Sequence, residues 1–536
     1  MERLVLDVAC RLSHIISPKF IIRTDLATGF QPLDRLVAAA TQNLTLPCCR
    51  RKSNASVRPL TANVYAQWRG RNGLGPALRE GADRPSERLL QLIWQHQRLI
   101  RDRLVLVDGR RLQVLHPGFW NQGAGPDFRA AVLQFEGQAP LSGDVEIDLA
   151  SSGWQAHRHD RNPAFAAVRL HVVWEADTTP TLPTLVVQHL LDSPVSDLAL
   201  WLSSDAAQLL PCGVVGRCAA PFTELTPAQR TELLQQAALV RLYGKAAQFH
   251  ARARQAGWEQ ALWEGLFRAL GYKHNVWPMQ RLAELRLRLV PPDSRMPVWA
   301  VQARLLGTAG LLPTELPTAS PATARYLRRL WDWWWRERDS FSDCILPASL
   351  WRLGGLRPAN HPARRLALVA HWLAAGDLAA RLETWCQRPL AAGHPADSLL
   401  VLLPDAHDEF WSWHWTLRSP RLAKPQPLLG AARATDLAVN VILPWLWIRA
   451  VEGRQQALQQ ELQRRYLAWP RSQDNAVLRL ARRRLFGDPG AVPLRTAAEQ
   501  QGLLQIARDF CDQSDALCTQ CPMPSLVQDW QRTGAG

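Results

Sequence analysis

Residues 143–149, Gly-Asp-Val-Glu-Ile-Asp-Leu, decide the fold of this chain. Polar and apolar residues alternate here, and a period of two predicts a β-strand with one polar and one apolar face. Asp144, Glu146 and Asp148 share the polar face, while the apolar residues that follow each of them share the other. The strand is therefore expected to pack one face on a core and to present a row of three acids on the other.

Further strands are predicted on both sides of this one. Asp108-Gly109 separates two β-rich runs, a pattern typical of a hairpin turn. A helix with Ser86 as its N-cap is expected before the hairpin. The other predicted strands lie at residues 128–135, 167–175 and 182–190. The sequence thus predicts a small α/β module at residues 83–200, in the order helix, hairpin, strand, strand, connection, strand, strand.

Residues 201–536 have helical periodicity, so the predicted fold class is α+β, a small mixed-sheet module followed by a large all-α region. Thr226 is expected to cap a long helix whose first turn contains Pro227. In the tryptophan-rich segment 328–336 and just before it, one side of a helix carries Leu327, Leu330, Trp331 and Trp334, which predicts core packing; base stacking is the alternative. Residues 1–82 lack periodicity and are interpreted as a variable extension, either poorly ordered or translated upstream of the true start.

Composition indicates the kind of partner. The formal net charge is +16, and only five of the 63 basic residues are lysines. An arginine-rich, basic chain favours nucleic acid as partner, because guanidinium groups bind phosphates bidentately; a GC-rich genome would give the same arginine bias. Ten scattered cysteines and the absence of a signal-peptide pattern predict a reducing, cytoplasmic location. The longest apolar run, 437–448, is too short to span a membrane, so no membrane partner is expected.

The acid row suggests a metal site. Like charges on one strand face are costly when buried, and a hard cation such as Mg²⁺ or Mn²⁺ compensates them with oxygen ligands. Asp127, in Gly125-Pro-Asp-Phe128 at the mouth of the preceding strand, could complete the site. His157 and His159, in the loop that follows, are candidate general bases or charge stabilisers. The alternative is a solvated strand face with a polar loop, and His171 is expected to be a packed core residue.

Several motifs resemble a bacterial family known as domain of unknown function 2851. The resemblance extends from about Glu87 to Pro522. Its motifs are Glu87-Arg-Leu-Leu-Gln-Leu-Ile-Trp94, Gly125-Pro-Asp-Phe128, Gly143-Asp-Val-Glu-Ile147, Trp154 with His157 and His159, Leu170-His-Val-Val173, Leu270-Gly-Tyr-Lys-His-Asn275, Arg357-Pro-Ala-Asn-His-Pro362, Asn440-Val-Ile-Leu-Pro444 and Cys518-Thr-Gln-Cys-Pro522. The family brings no established activity.

The order of elements also resembles the restriction-endonuclease-like PD-(D/E)XK superfamily. That resemblance implies that Asp127 and Glu146 bind metal, with Glu87 as a helix acid that some members use. Asp148 occupies the position of the superfamily's lysine, so His157, Arg158 or His159 would have to replace its charge. Asp127, Glu146, Asp148, His157 and His159 are the predicted catalytic residues, and Asp127, Glu146 and Glu87 the predicted metal ligands.

The C-terminal tail contains Cys511, Cys518 and Cys521, of which the last two have metal-ligand spacing. A closed zinc or iron–sulfur site needs a fourth ligand, which Cys212 or Cys218 could supply. Some nucleases of the superfamily carry an iron–sulfur cluster on one early and three late cysteines. Three reduced thiols without metal are the alternative.

Three classes of function remain open at this point. The first is a metal-dependent nuclease or phosphodiesterase. The second is a non-catalytic nucleic-acid-binding protein with a degenerate nuclease core. The third is a structural or partner-binding helical protein. The sequence contains no phosphate-binding loop, dinucleotide fingerprint or nucleophile elbow, which argues against an ATPase, a Rossmann dehydrogenase and an α/β-hydrolase.

Overall fold

The structure is a computed structural model of the chain. It describes residues 63–72, 84–121, 124–202, 215–272, 274–292, 294–315, 320–388, 395–403, 407–487, 492–511, 518 and 521–533. Cys212, one of the two candidates for the fourth cysteine ligand, lies outside the described residues, as do residues 1–62 and 73–82 of the predicted extension.

A mixed β-sheet lies within residues 112–186. Its strands are β1 (Leu112–His116), β2 (Phe119–Trp120), β3 (Phe128–Phe135), β4 (Leu141–Ala150), β5 (Val168–Glu175) and β6 (Thr184–Val186). The strand order is β1-β3-β4-β5-β6, and β2 pairs with the start of β3. The pairs β1–β3, β2–β3 and β3–β4 are antiparallel, whereas β4–β5 and β5–β6 are parallel. The parallel crossover places the β4–β5 connection, which contains both candidate histidines, over the sheet.

The predicted strands are confirmed with shifted ends, except for the first arm of the hairpin. The turn at Asp108-Gly109 forms, and Gly109 adopts a positive φ of 87° that favours glycine. The first arm of this hairpin makes only one isolated bridge, Val105 with Arg111, before β1 begins. The last predicted strand, 182–190, shortens to β6, which ends at Val186.

Helices make up most of the remaining described chain. The first two are α1 (Val64–Arg71) and α2 (Glu87–Gln95); the short α3 (Gly153–Ala156) lies in the β4–β5 connection. The others are α4 (Val195–Leu202), α5 (Ala219–Glu224), α6 (Pro227–Ala256), α7 (Trp258–Gly271), α8 (Val276–Glu284), α9 (Arg286–Leu289), α10 (Val298–Thr308), α11 (Pro321–Glu337), α12 (Pro362–Ala375), α13 (Leu378–Gln387), α14 (Pro395–Leu402), α15 (Ala431–Leu437), α16 (Leu443–Glu452), α17 (Gln456–Ala468), α18 (Ala476–Phe486), α19 (Ala497–Phe510) and α20 (Met523–Thr533).

The expected helix caps form. Ser86 accepts a hydrogen bond from the Leu89 amide at the start of α2. Thr226 and Gln229 form a reciprocal capping box at the start of α6, with Pro227 in its first turn. In α11, Leu327, Leu330 and Trp334 are buried as predicted, whereas Trp335 is exposed. The tryptophan-rich segment therefore buries an aromatic face in the core.

Two large hydrophobic clusters organise the described chain. The larger runs without interruption from α2 and one face of the sheet into the helical region, with Val145 and Ile147 of β4 as members. The second joins α1, α5, α18, α19 and α20, and includes Tyr65, Trp68, Cys218 and Cys511. Helix α1, which falls inside the predicted extension of residues 1–82, is thus part of a buried core.

One helical stretch, Ala431–Glu452, is long and apolar enough to cross a membrane by length and composition. It includes the predicted apolar run 437–448 and extends it at both ends. The stretch is interrupted by a π-helical segment at Ala438–Ile442. Because 78% of its most apolar window is buried inside the protein, the stretch also fits the description of a core helix.

Candidate acid–histidine site

Two of the three acids in β4 are buried. The exposed fractions are 8% for Glu146 and 3% for Asp148, so the interpretation as a solvated strand face is wrong for these two residues. Their apolar neighbours Val145 and Ile147 lie in the main core on the opposite face, as alternation requires. Asp144 has a different role, since its Oδ1 accepts a hydrogen bond from the Ala130 amide across the β3–β4 pair.

Asp127 joins these acids at the start of β3. Its backbone N–H donates to Glu146 Oε2 at 3.0 Å, and the Ile147 amide donates to Asp127 Oδ2 at 3.2 Å. The antiparallel register, which places Phe128 opposite Val145, brings Asp127 beside Glu146. Two carboxyl groups from separate strands are thereby held next to each other by backbone donors.

Helix α2 contributes a third acid and an amide. Gln91 is one turn after Glu87, and its Nε2 donates to Glu87 Oε1 at 3.2 Å and to Asp127 Oδ1 at 3.0 Å. Glu87 is exposed, whereas Gln91 is only 8% exposed. The helix thus links the solvent-facing Glu87 to the half-buried Asp127.

Three histidines surround the carboxyl groups of β4. His159 Nε2 lies 3.3 Å from Glu146 Oε1, and His157 Nδ1 lies 3.3 Å from Asp148 Oδ1. His171, on β5, places its Nε2 2.9 Å from Asp148 Oδ2. It is 1% exposed, so the prediction of a packed histidine is confirmed, although its ring also contacts an acid of the site.

The loop between β4 and β5, residues 151–167, packs over Glu146 and Asp148. The ring of His159 stacks on Phe165 with 3.9 Å between ring centroids, and Trp154 packs beside both His159 and His171. Gly153 lies so close to Asp148 that a Cβ at this position would meet Asp148 Cγ at 2.7 Å. The first helical turn after β4 can approach Asp148 only because residue 153 has no side chain.

The carboxyl groups shift one another's protonation. Burial and the neighbouring Glu87 raise the pKa of Asp127 to about 7, and burial together with Asp127 raises the pKa of Glu146 to about 9. Burial and Asp148 also raise the pKa of Glu87. Burial lowers the pKa of His159, which keeps its imidazole neutral.

This arrangement suits a divalent cation. Two unit charges about 4 Å apart repel by about 4 kcal/mol at the effective permittivity of a partly buried site. A hydrogen bond to a charged group returns only about 1.5–3 kcal/mol, so the nearby imidazoles do not offset several ionised carboxylates. Ligand atoms of Asp148, His157 and His159 lie within 4.8 Å of one another. Carboxylate oxygens with imidazole nitrogens form a donor set that Mn²⁺ and related cations accept.

The residues predicted to be catalytic or metal-binding therefore meet in one place, whereas Asp144 of the predicted acid row lies outside it. They are Glu87, Asp127, Glu146, Asp148, His157 and His159. Two partners were not predicted. Gln91 could have been recognised from its position one turn after Glu87. His171 could not, because alternation alone does not distinguish a packed histidine from one that contacts an acid on the neighbouring strand.

The predicted C-terminal cysteines lie in a different part of the molecule, in and beside the second hydrophobic cluster. Cys511 follows α19, and Cys518 and Cys521 precede α20. Among the described cysteines, Cys218 is the early one that joins them, because its thiol contacts that of Cys521.

The family described as Protein of unknown function (DUF2851) matches residues 87–475. The chain belongs to this family. The DUF2851 match begins at Glu87, as the sequence motifs predict, and ends before Cys511 instead of reaching Pro522. It contains every member of the acid–histidine site. No curated protein and no solved structure matches the chain.

Proposed function

We propose that the chain is a Mg²⁺- or Mn²⁺-dependent phosphodiesterase that acts on nucleic acid. The observation that carries the proposal is the convergence of Glu87, Asp127, Glu146 and Asp148, from one helix and two strands, on a single site. Four neighbouring carboxyl groups destabilise the folded state by their mutual repulsion and partial burial. A bound divalent cation would compensate their charge.

The sheet topology supports a restriction-endonuclease-like module. Helix α2 precedes an antiparallel set of strands, and β5 then runs parallel to β4. Asp127 at the start of β3 and Glu146 in β4 occupy the positions that the superfamily pattern gives to metal ligands. Asp148 occupies the lysine position, so the chain differs from the pattern at the residue that would contact the scissile phosphate.

The chain's own residues suggest a division of labour. A bound divalent cation would supply Lewis acidity and a water of lowered pKa. Asp127 and Glu146 would hold it, with Glu87 reaching it from the solvent side. His157 is exposed beside Asp148, and its imidazole could accept a proton from water or pass one to the leaving oxygen. The 2.9 Å contact between His171 Nε2 and Asp148 Oδ2 would keep that carboxylate in place.

Arg158 is our candidate for the missing positive charge. It lies between His157 and His159 in the chain, its backbone is left-handed with a φ of 57°, and its side chain is exposed. A guanidinium group can stabilise the charge of a phosphate in its transition state. Exposed arginines near the site in sequence would bind the adjoining backbone phosphates: Arg129 and Arg169.

The test is cleavage of labelled single- and double-stranded DNA and RNA with Mg²⁺ or Mn²⁺. We expect wild-type protein to cleave at least one substrate and Glu146→Ala to be inactive. Asp144→Asn is the matched control, because Asp144 lies on the same strand face but outside the site. It should retain activity.

Absence of cleavage by folded wild-type protein on all four substrates would contradict the proposal. If that protein still bound nucleic acid with steep salt dependence, the chain would be a non-catalytic binder, since phosphate contacts release counterions. Absence of both activities would favour a helical partner-binding protein.

A further inference from the structure

Four cysteines from distant parts of the chain meet near one end of the helical region. Cys218 immediately precedes α5, Cys511 follows α19, and Cys518 and Cys521 precede α20. Cys218, Cys511 and Cys518 are 4%, 9% and 8% exposed, and Cys521 is half-buried. Their convergence depends on tertiary packing, because almost 300 residues separate Cys218 from Cys511.

The contacts form a continuous set. The thiols of Cys218 and Cys521 are within hydrogen-bonding reach, and Cys218 also interacts electrostatically with Cys511 and Cys518. Arg484, on α18, contacts two of the thiols: its Nη2 is 3.2 Å from Cys518 Sγ, and its guanidinium group also contacts Cys511. The backbone carbonyl of Arg484 accepts a hydrogen bond from the Gly216 amide at 2.8 Å, which fixes the segment leading to Cys218.

Two other buried cysteines show what an ordinary thiol looks like in this protein. Cys344 Sγ donates to the Phe341 carbonyl at 3.2 Å, and Cys386 Sγ donates to the Glu383 carbonyl at 3.1 Å. Each satisfies a local backbone acceptor three residues earlier, as a small buried residue does. In the four-cysteine cluster, Cys521 Sγ also donates to a backbone carbonyl, that of Phe510 at 3.9 Å, but thiols contact one another and a guanidinium group as well.

A buried arginine places a positive charge beside the cluster. Arg484 is 3% exposed. A nearby positive charge favours thiolates over neutral thiols, and buried thiolates in turn are stable when they bind a metal. Arg484 would then balance the net negative charge of a metal centre with four thiolate ligands.

We propose that Cys218, Cys511, Cys518 and Cys521 bind a thiophilic metal centre, either a zinc ion or an iron–sulfur cluster. Both accept four cysteine ligands. In the described residues, no three of these sulfurs lie within 4.8 Å of one another, so the cysteines would have to approach more closely to surround a single zinc ion.

The centre would have a structural role. It would tie the C-terminal segment to the start of the helical region and close the second hydrophobic cluster, where Met523 and Val527 of α20 pack against Phe222 of α5. The site would be distinct from the acid–histidine site in ligands and in position, and the inference does not depend on nuclease activity.

The test is metal and acid-labile sulfide analysis of full-length protein purified without oxygen. Iron with sulfide and a visible charge-transfer absorption would identify a cluster; one zinc per chain without sulfide would identify a zinc site. Cys218→Ser and Cys521→Ser should each reduce the bound metal at least several-fold. Cys344→Ser and Cys386→Ser are the matched controls, since both are buried thiols outside the cluster, and should keep it.

If the cysteine-cluster variants fail to fold, measurements on the wild-type protein still test whether the four cysteines bind metal. Titration with a mercurial reagent should release the metal as thiols are modified. Folded protein without iron or zinc would overturn the proposal, and so would a Cys218–Cys521 disulfide found by mass spectrometry of protein prepared without reductant or oxygen.

Discussion

The acid–histidine site and the cysteine cluster contain similar numbers of candidate metal ligands in opposite surroundings. The first uses hard oxygen and nitrogen atoms at an edge open to solvent, where Glu87 and His157 are exposed. The second has sulfur atoms beside a hydrophobic core, with the buried Arg484 in contact with two of them. Hard donors at an accessible edge suit an exchangeable cation and chemistry, whereas enclosed soft donors suit a permanent structural centre.

The strongest expected effect concerns a direct ligand of the acid–histidine site. Asp127→Asn should reduce metal-dependent cleavage by more than about 100-fold. Loss of a metal ligand should reduce activity at least as much as loss of a residue that hydrogen-bonds to a ligand. Metal content at the cysteines should not change. Cleavage rates and metal analysis on the same preparation check both points. If Asp127→Asn lost both cleavage activity and the metal at the cysteines, the two regions would not be independent.

Arg158→Ala should reduce the cleavage rate by roughly 10- to 100-fold. This loss is no larger than the decrease in rate that follows removal of one hydrogen-bond donor that stabilises transition-state charge. Arg161→Ala, an exposed arginine three residues later, is the control and should have a small effect on the rate. Single-turnover kinetics at saturating Mg²⁺ separate the rate from binding. Equal losses in both variants would indicate general electrostatic binding instead of a specific role for Arg158.

His171→Asn should have a smaller effect, roughly 10-fold on metal affinity, because His171 positions Asp148 through the 2.9 Å contact without being a predicted ligand. The measurement is the dependence of cleavage on Mn²⁺ concentration. A shift in the required concentration with an unchanged maximal rate fits a positioning role. Unchanged Mn²⁺ dependence would remove His171 from the site.

The fold and the site could be predicted from the sequence where they depend on residues close together in the chain, but not where they depend on contacts between distant residues. The strand limits of β3 and the two faces of β4 follow from local alternation, so the core residues Val145 and Ile147 and the acids Glu146 and Asp148 were assigned to the correct sides. The position of Asp127 at the mouth of the preceding strand assigned it to the site, and the resemblance to nuclease motifs added Glu87. The contacts of His171, Gly153 and Arg484 depend on strand pairing and helix packing, which no local pattern specifies.

The smallest effect concerns stability without metal. Folding raises the pKa of Asp127 to about 7 and of Glu146 to about 9, so between about pH 4 and these values the folded state holds protons that the unfolded state has lost. Stability due to these groups is therefore present at low pH and lost as pH rises. We expect the free energy of unfolding to fall by about 1 kcal/mol or more from pH 5 to pH 8.

Urea denaturation of metal-free protein at several pH values measures this dependence. Glu146→Gln should flatten it, and Mn²⁺ should restore stability more at pH 8 than at pH 5. Cys344 is a buried thiol outside both sites, so Cys344→Ser should leave the pH dependence as it is. A free energy of unfolding that rises between pH 5 and pH 8 in the wild type but not in Glu146→Gln would contradict the account.

Calorimetric titration of Mn²⁺ into full-length protein at pH 7.5 tests the central claim most directly, because it asks whether the acid–histidine site binds a divalent cation before asking what it cleaves. The account predicts saturable binding by the wild type, unchanged binding by Asp144→Asn, and affinity at least about 10-fold weaker in Glu146→Gln. Absence of binding by the wild type, or equal binding by all three proteins, would contradict it.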